Sequence, residues 1–106
     1  MIRLTIPLAP SRHRRNAKAA MVEALRRCTG IREVTARRYR VEMQFFGKWD
    51  NKDGTPKRRD PDSAVIVIMD EMVEAAGIDD KWLNRRVSWD TVHSDRETVV
   101  VRLTPI

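Results

Sequence analysis

The sequence predicts a small α/β (α+β) domain, a mixed four-stranded sheet carrying two helices in the order β-α-β-α-β-β. Three observations predict it. Four stretches alternate apolar and polar residues with the period of two that a half-buried strand requires. Asn16 to Cys28 repeats its apolar residues at the helical period. A second apolar stretch, ending at Ala76, lies between an Asp-Pro pair and a glycine, the punctuation of a helix start and stop. At 106 residues the chain has room for one domain, spanning residues 1–106, with a modest core.

In the first strand Ile2, Leu4 and Ile6 alternate with Arg3 and Thr5, and Pro7 and Pro10 end it. Ser11 to Arg15 is a basic loop. In the helix that follows, Ala17, Ala20, Met21, Ala24, Leu25 and Cys28 share one face, and Gly30 is the expected terminator. Cys28 on that face reads as a buried, inert thiol. Tyr39, Val41, Met43 and Phe45 form the apolar side of a second strand that Gly47 ends.

Residues 47 to 59 read as a loop. Its Asp50-Asn-Lys-Asp-Gly54 fails as a calcium loop, because Lys52 stands where a ligand oxygen is needed. A solvated turn is the better reading. Trp49 either anchors this loop or stacks on a base, with anchoring favoured.

Ala64 to Ile68 is β-branched and by itself says strand. The preceding Asp60-Pro61, the continuation Met-Asp-Glu-Met-Val-Glu-Ala-Ala and the stop at Gly77 say helix instead. Its expected buried face is Val65, Ile68, Met69, Met72, Val73 and Ala76, with Asp70, Glu71 and Glu74 solvated. Val87, Trp89 and Thr91 mark a third strand, Ser94 to Arg96 a turn, and Thr98 to Leu103 a fourth strand.

Composition narrows the partners. The hydrophobic share of 42% and charged share of 34% fit a soluble globular chain. A single cysteine forms no internal disulfide and fits a reducing compartment, so a cytoplasmic location is expected. The apolar start is short and broken by Pro7, so no signal peptide is expected, and Ala64 to Met69 is too short to span a bilayer. No membrane partner is expected. The net charge is +6, and it is unevenly placed. Residues 1–59 carry 16 Lys and Arg against 5 Asp and Glu, while residues 60–106 carry 5 against 10. A basic half therefore meets an acidic half at Arg59-Asp60. Cations beside carboxylates are what a metal-using phosphodiesterase needs, the first for phosphates and the second for Mg²⁺.

The plain account of Asp60 and Asp62 is helix capping, and that of Asp79 and Asp80 is a turn. The pattern as a whole, however, resembles the RusA-type Holliday junction resolvases, endonucleases that cut four-way DNA junctions and occur in bacteria and phages. The resemblance is carried by Arg59-Asp60-Pro61-Asp62, Met69-Asp70-Glu71-Met72, Gly77 and Asp79-Asp80, together with the Pro-rich opening Ile6 to Ser11. It implies paired symmetric nicks by a homodimer, with Mg²⁺ or Mn²⁺ held by Asp60, Asp62 and Asp80 as the catalytic carboxylates. Arg12, Arg14, Arg15, Lys57, Arg58, Arg59 and Lys81 would then contact the DNA backbone. Two positions depart from the family pattern. Ser63 replaces an asparagine, and Ile66 replaces the catalytic lysine, leaving Lys57, Arg58, Lys81 or Arg85 as candidate substitutes.

Helix length raises a geometric question. A helix from about Asp62 to Ala76 is roughly 20 Å long. Asp62 and Asp80 meet only if the chain folds back after Gly77 or the helix is cut short. The other solution is a composite site, with the two aspartates supplied by different chains of a dimer. A non-catalytic branched-DNA-binding module and a protein docking on an acidic partner are the rival functional readings.

Overall fold

The structure, a computed structural model, describes residues 1–7, 14–57, 61–83 and 87–106, with the backbone alone described at 14–18 and at Ser63. The elements follow the expected order: β1 (Ile2–Pro7), α1 (Arg14–Arg27), β2 (Tyr39–Gly47), α2 (Asp62–Ala76), β3 (Ser88–His93) and β4 (Thr98–Pro105). They form one four-stranded mixed sheet of order β1-β4-β2-β3. β4 runs antiparallel to both β1 and β2, and β3 runs parallel to β2.

Alternation decides which side of the sheet is covered. Leu4, Val101, Met43 and Trp89 stand in register across the four strands, and Ile6, Val99, Phe45 and Thr91 form the next row. In these rows every residue of β1, β4 and β2 is buried. Met21 and Leu25 of α1 and Val65, Ile68 and Met72 of α2 complete the core. The opposite face holds Arg3, Thr5, Arg40, Glu42 and Arg102, and no helix among the described residues covers it.

β3 and β4 are consecutive in sequence but are not neighbours, because β2 lies between them. Their connection crosses the end of β2 closely. Ser94 donates its N–H to the Gly47 carbonyl at 2.8 Å, and a Cβ at Gly47 would come within 2.5 Å of a Glu97 carboxylate oxygen. Gly47 is small because the crossover passes over it.

Several local expectations shift. α1 stops at Arg27, and a 3₁₀ turn over Thr29–Glu33 follows it. Gly30 sits inside that turn rather than ending the helix, and its role is close approach: a Cβ there would lie 2.9 Å from Leu4 Cδ2. Pro61 precedes α2 instead of occupying its first position, and its carbonyl accepts the Val65 N–H at 3.0 Å. The β-branched run is helical nonetheless. Val65, Ile68 and Met72 are fully buried, whereas Met69, Val73 and Ala76 are half-buried, and Glu71 is half-buried rather than solvated. β4 extends two residues past Leu103.

Trp49 is buried. Its indole N–H donates to the Phe45 carbonyl at 2.8 Å, and the two rings meet edge to face with centroids 6.3 Å apart. Anchoring is therefore its role. The loop beyond it closes as a turn, in which Asp53 accepts hydrogen bonds from the Thr55 N–H and hydroxyl. Cys28 is half-buried, and burial raises its thiol pKa, opposed by the hydrogen bond its Sγ donates to the Thr5 carbonyl.

α2 ends on Gly77 in the left-handed region, at φ 69° and ψ 31°. Its N–H reaches the Glu74 carbonyl, and the Ile78 N–H reaches the Val73 carbonyl at 3.1 Å, the paired bonds of a Schellman cap. Nothing lies within 4 Å of a Cβ built there, so a side chain would strain the backbone without meeting a clash. Gly77→Ala is expected to lower unfolding free energy by about 1 kcal/mol, and with it the melting temperature by several degrees. An unchanged denaturation midpoint would contradict the cap.

Candidate functional site

The site is built where α2 faces the chain that follows it. After the Gly77 cap, Ile78 packs against the core and a 3₁₀ turn over Asp80–Trp82 forms. Asp79 holds this turn: its carboxylate accepts the Lys81 backbone N–H at 3.0 Å. That hydrogen bond first, and a side-chain hydrogen bond with Asp80 second, keep the Asp79 carboxyl below the ordinary aspartate range. Leu83 then buries its side chain and bridges to Tyr39 at the start of β2. The returning segment is thus pinned at both ends.

The result is an open groove of about 440 Å³. Val65, Ile66, Met69, Asp70 and Val73 line its α2 side. Asp80, Leu83, Val87 and Trp89 line the other. Asp80 therefore lines one groove with side chains of α2 from Val65 to Val73. Asp62 lies one helical turn before Ile66, about 6 Å along the axis. The helix is not cut short, and Asp62 itself does not line the groove.

Asp62 and Asp80 are both exposed. Asp60, the third expected carboxylate, lies outside the described residues, as do Arg12, Arg58, Arg59 and Arg85. Arg14 and Arg15 lie in the first turn of α1, and only their backbone is described. Lys57 is exposed, and its N–H closes the loop on the Trp49 carbonyl at 2.8 Å. Lys81 places its ammonium 5.4 Å from the Trp82 ring centroid. Among the described residues no three carboxylates, histidines or cysteines gather closely enough to hold a metal. Asp62 and Asp80 bring hard carboxylate oxygens of the kind Mg²⁺ prefers.

Ile66 already stands out in the sequence at the resembling family's lysine position, whereas the other groove residues Asp70 and Trp89 do not. Asp70, expected on a solvated face, is exposed but lines the groove with Asp80. Ile66 is 63% exposed in the same groove, an unusual place for an isoleucine. Trp89 is 40% exposed, its ring edge-on to Phe45 at 6.1 Å. The exposure of Ile66 has a signal in the sequence: residues 64 to 69 are apolar all round the helix, more than one buried face requires. Away from the groove, His93 Nδ1 stands 3.9 Å from an Asp50 carboxylate oxygen, both exposed.

No protein-family model matches the chain, and no curated protein matches it.

The Asp79 cap sets a pH dependence for the turn. A carboxyl whose folded pKa is depressed contributes fully above its unfolded value and is lost as pH falls through the folded value. Protection of the Lys81 amide against hydrogen exchange is therefore expected to hold from neutral pH down to the ordinary aspartate range and to fall below it. Asp79→Ala is expected to remove that pH-dependent part, and a parent-like profile in the variant would contradict the cap.

Proposed function

We propose that this protein is a Mg²⁺-dependent endonuclease of the RusA type, which cuts four-way DNA junctions by paired nicks as a homodimer. The observation that carries the reading is the placement of Asp80. The capped turn after α2 sets it in one groove with Ile66 and Asp70 of that helix. On the resemblance to the RusA pattern, Arg59-Asp60-Pro61-Asp62 and Asp79-Asp80 are read as one site.

Asp60, Asp62 and Asp80 would hold the metal, which when bound supplies Lewis acidity for the attack of water on a phosphodiester. Asp79 positions Asp80 by fixing the Lys81 N–H. The basic residues Arg12, Arg14, Arg15, Lys57, Arg58, Arg59 and Lys81 would hold the DNA backbone through phosphate contacts. No helix among the described residues is long and apolar enough to cross a membrane. A cytoplasmic place in bacterial or phage DNA recombination and repair belongs to the same proposal.

Ile66 favours a second reading, a branched-DNA-binding module that cuts slowly or not at all. It stands where the resembling family carries a lysine, and among the described residues no Lys or Arg lines the groove around it.

Nicking of a labelled four-way junction separates the two. In Mg²⁺ the parent is expected to give symmetric nicks, and Asp62→Asn and Asp80→Asn each to lower the rate by at least about 100-fold while binding persists. Ile66→Lys is expected to raise the rate by about 10-fold or more. Tight binding without cutting, in the parent and in Ile66→Lys alike, would favour the binding module. Cutting that survives both aspartate substitutions would overturn the proposed site.

A further inference from the structure

The open face of the sheet carries a cluster of arginines that the site does not use. Arg3 of β1 stands directly opposite Arg102 of β4. Opposite side chains on antiparallel strands have Cβ atoms only about 5 Å apart, and like charges so placed weaken the pair. Arg40 of β2 is paired with Thr104, so it lies diagonal to Arg102 on the same face, about 7 Å away. Three guanidinium groups therefore crowd one side of the sheet, opposite the side the helices cover.

Intramolecular pairing does not account for them. Among the described residues neither Arg3 nor Arg40 has an ion-pair partner, and both are exposed. Arg102 donates to the side-chain oxygen of Gln44 at 2.8 Å, a neutral acceptor that orients the guanidinium and leaves its charge in place. Glu42, in register with Arg102, is a carboxylate adjoining the cluster. The flanking Thr5 and Thr104 add hydroxyl donors on the same face.

We infer that the Arg3–Arg102–Arg40 cluster on the open sheet face is a second DNA-backbone surface, separate from the Asp80 groove. A single small anion would meet two of these cations, whereas three spread across a flat face fit a run of phosphates. The chain's charge of +6 favours the same polyanion. The groove lies beside β3 on the helix-covered face, and the cluster lies toward β1 on the other. One duplex segment does not reach both. A branched substrate does, with one arm at the carboxylates and another across the sheet. The inference rests on the DNA-binding reading above, and it concerns residues that reading does not employ.

The test is binding of a fluorescent four-way junction to the full chain in EDTA, followed by anisotropy across a salt series. Replacing Arg3, Arg40 and Arg102 with Gln together is expected to weaken binding and flatten the slope of log K against log salt by about 2 to 3. The corresponding triple Lys variant, which keeps the charge, is expected to restore most of that slope. Thermal melts of both triples establish that they fold, and single Arg3→Gln and Arg40→Gln variants carry the test if the triple does not. A parental slope in the folded Gln variants would overturn the sheet-face surface while leaving the nuclease reading intact. Absence of any DNA binding by the parent would overturn both. Parental self-association abolished by the Gln variants would assign the face to a second copy of the chain.

Discussion

Everything distinctive about the candidate site depends on how the chain leaves α2. Gly77 adopts a left-handed conformation that other residues enter only at a cost, and the Schellman bonds stop the helix there. Ile78 and Leu83 then tie the outgoing segment to the core, one at each side of the 3₁₀ turn that bears Asp80. The helix is about 20 Å long. The capped turn sets Asp80 in a groove shared with α2 side chains from Val65 to Val73, and Leu83 both anchors the segment and lines that groove.

The sheet adds a second constraint. Because β3 pairs only with β2, it is an edge strand, and Trp89 on its helix-facing side is left 40% exposed. The groove is thus the gap between an incompletely covered edge and a helix that is apolar around more than one face. On the other side of the sheet no helix among the described residues covers the strands, and polar and cationic side chains there adjoin the buried Val100. The two faces therefore offer different chemistry: carboxylates among apolar walls on one, guanidinium groups on a flat surface on the other.

Much of this was legible from residue patterns. The four strands and two helices follow from alternation and from the 3.6-residue period, and the Asp-Pro and Gly77 signals outweighed the β-branched run that spelled strand. Tertiary contacts were not legible. Gly30 looks like a terminator in sequence but makes room for Leu4, and Gly47, which does end β2, also makes room for the Glu97 crossover. The strand order, with β2 between the consecutive β3 and β4, depends on long-range pairing that local periodicity does not encode. Asp70 and Asp80 could be recognised as carboxylates, but their shared groove arises from fold-back, which spacing along a helix does not reveal. The Arg3–Arg102 pair is likewise a matter of register between residues far apart in sequence.

The central claim is that Asp62 and Asp80 serve one metal. Mn²⁺ binding followed by electron paramagnetic resonance and calorimetry, on the parent and on each aspartate variant, tests it without requiring DNA or turnover. One Mn²⁺ per chain is expected, with affinity lowered at least about tenfold by Asp62→Asn and by Asp80→Asn separately. Parental Mn²⁺ affinity in either variant would contradict the shared site and return that residue to a role as cap or turn.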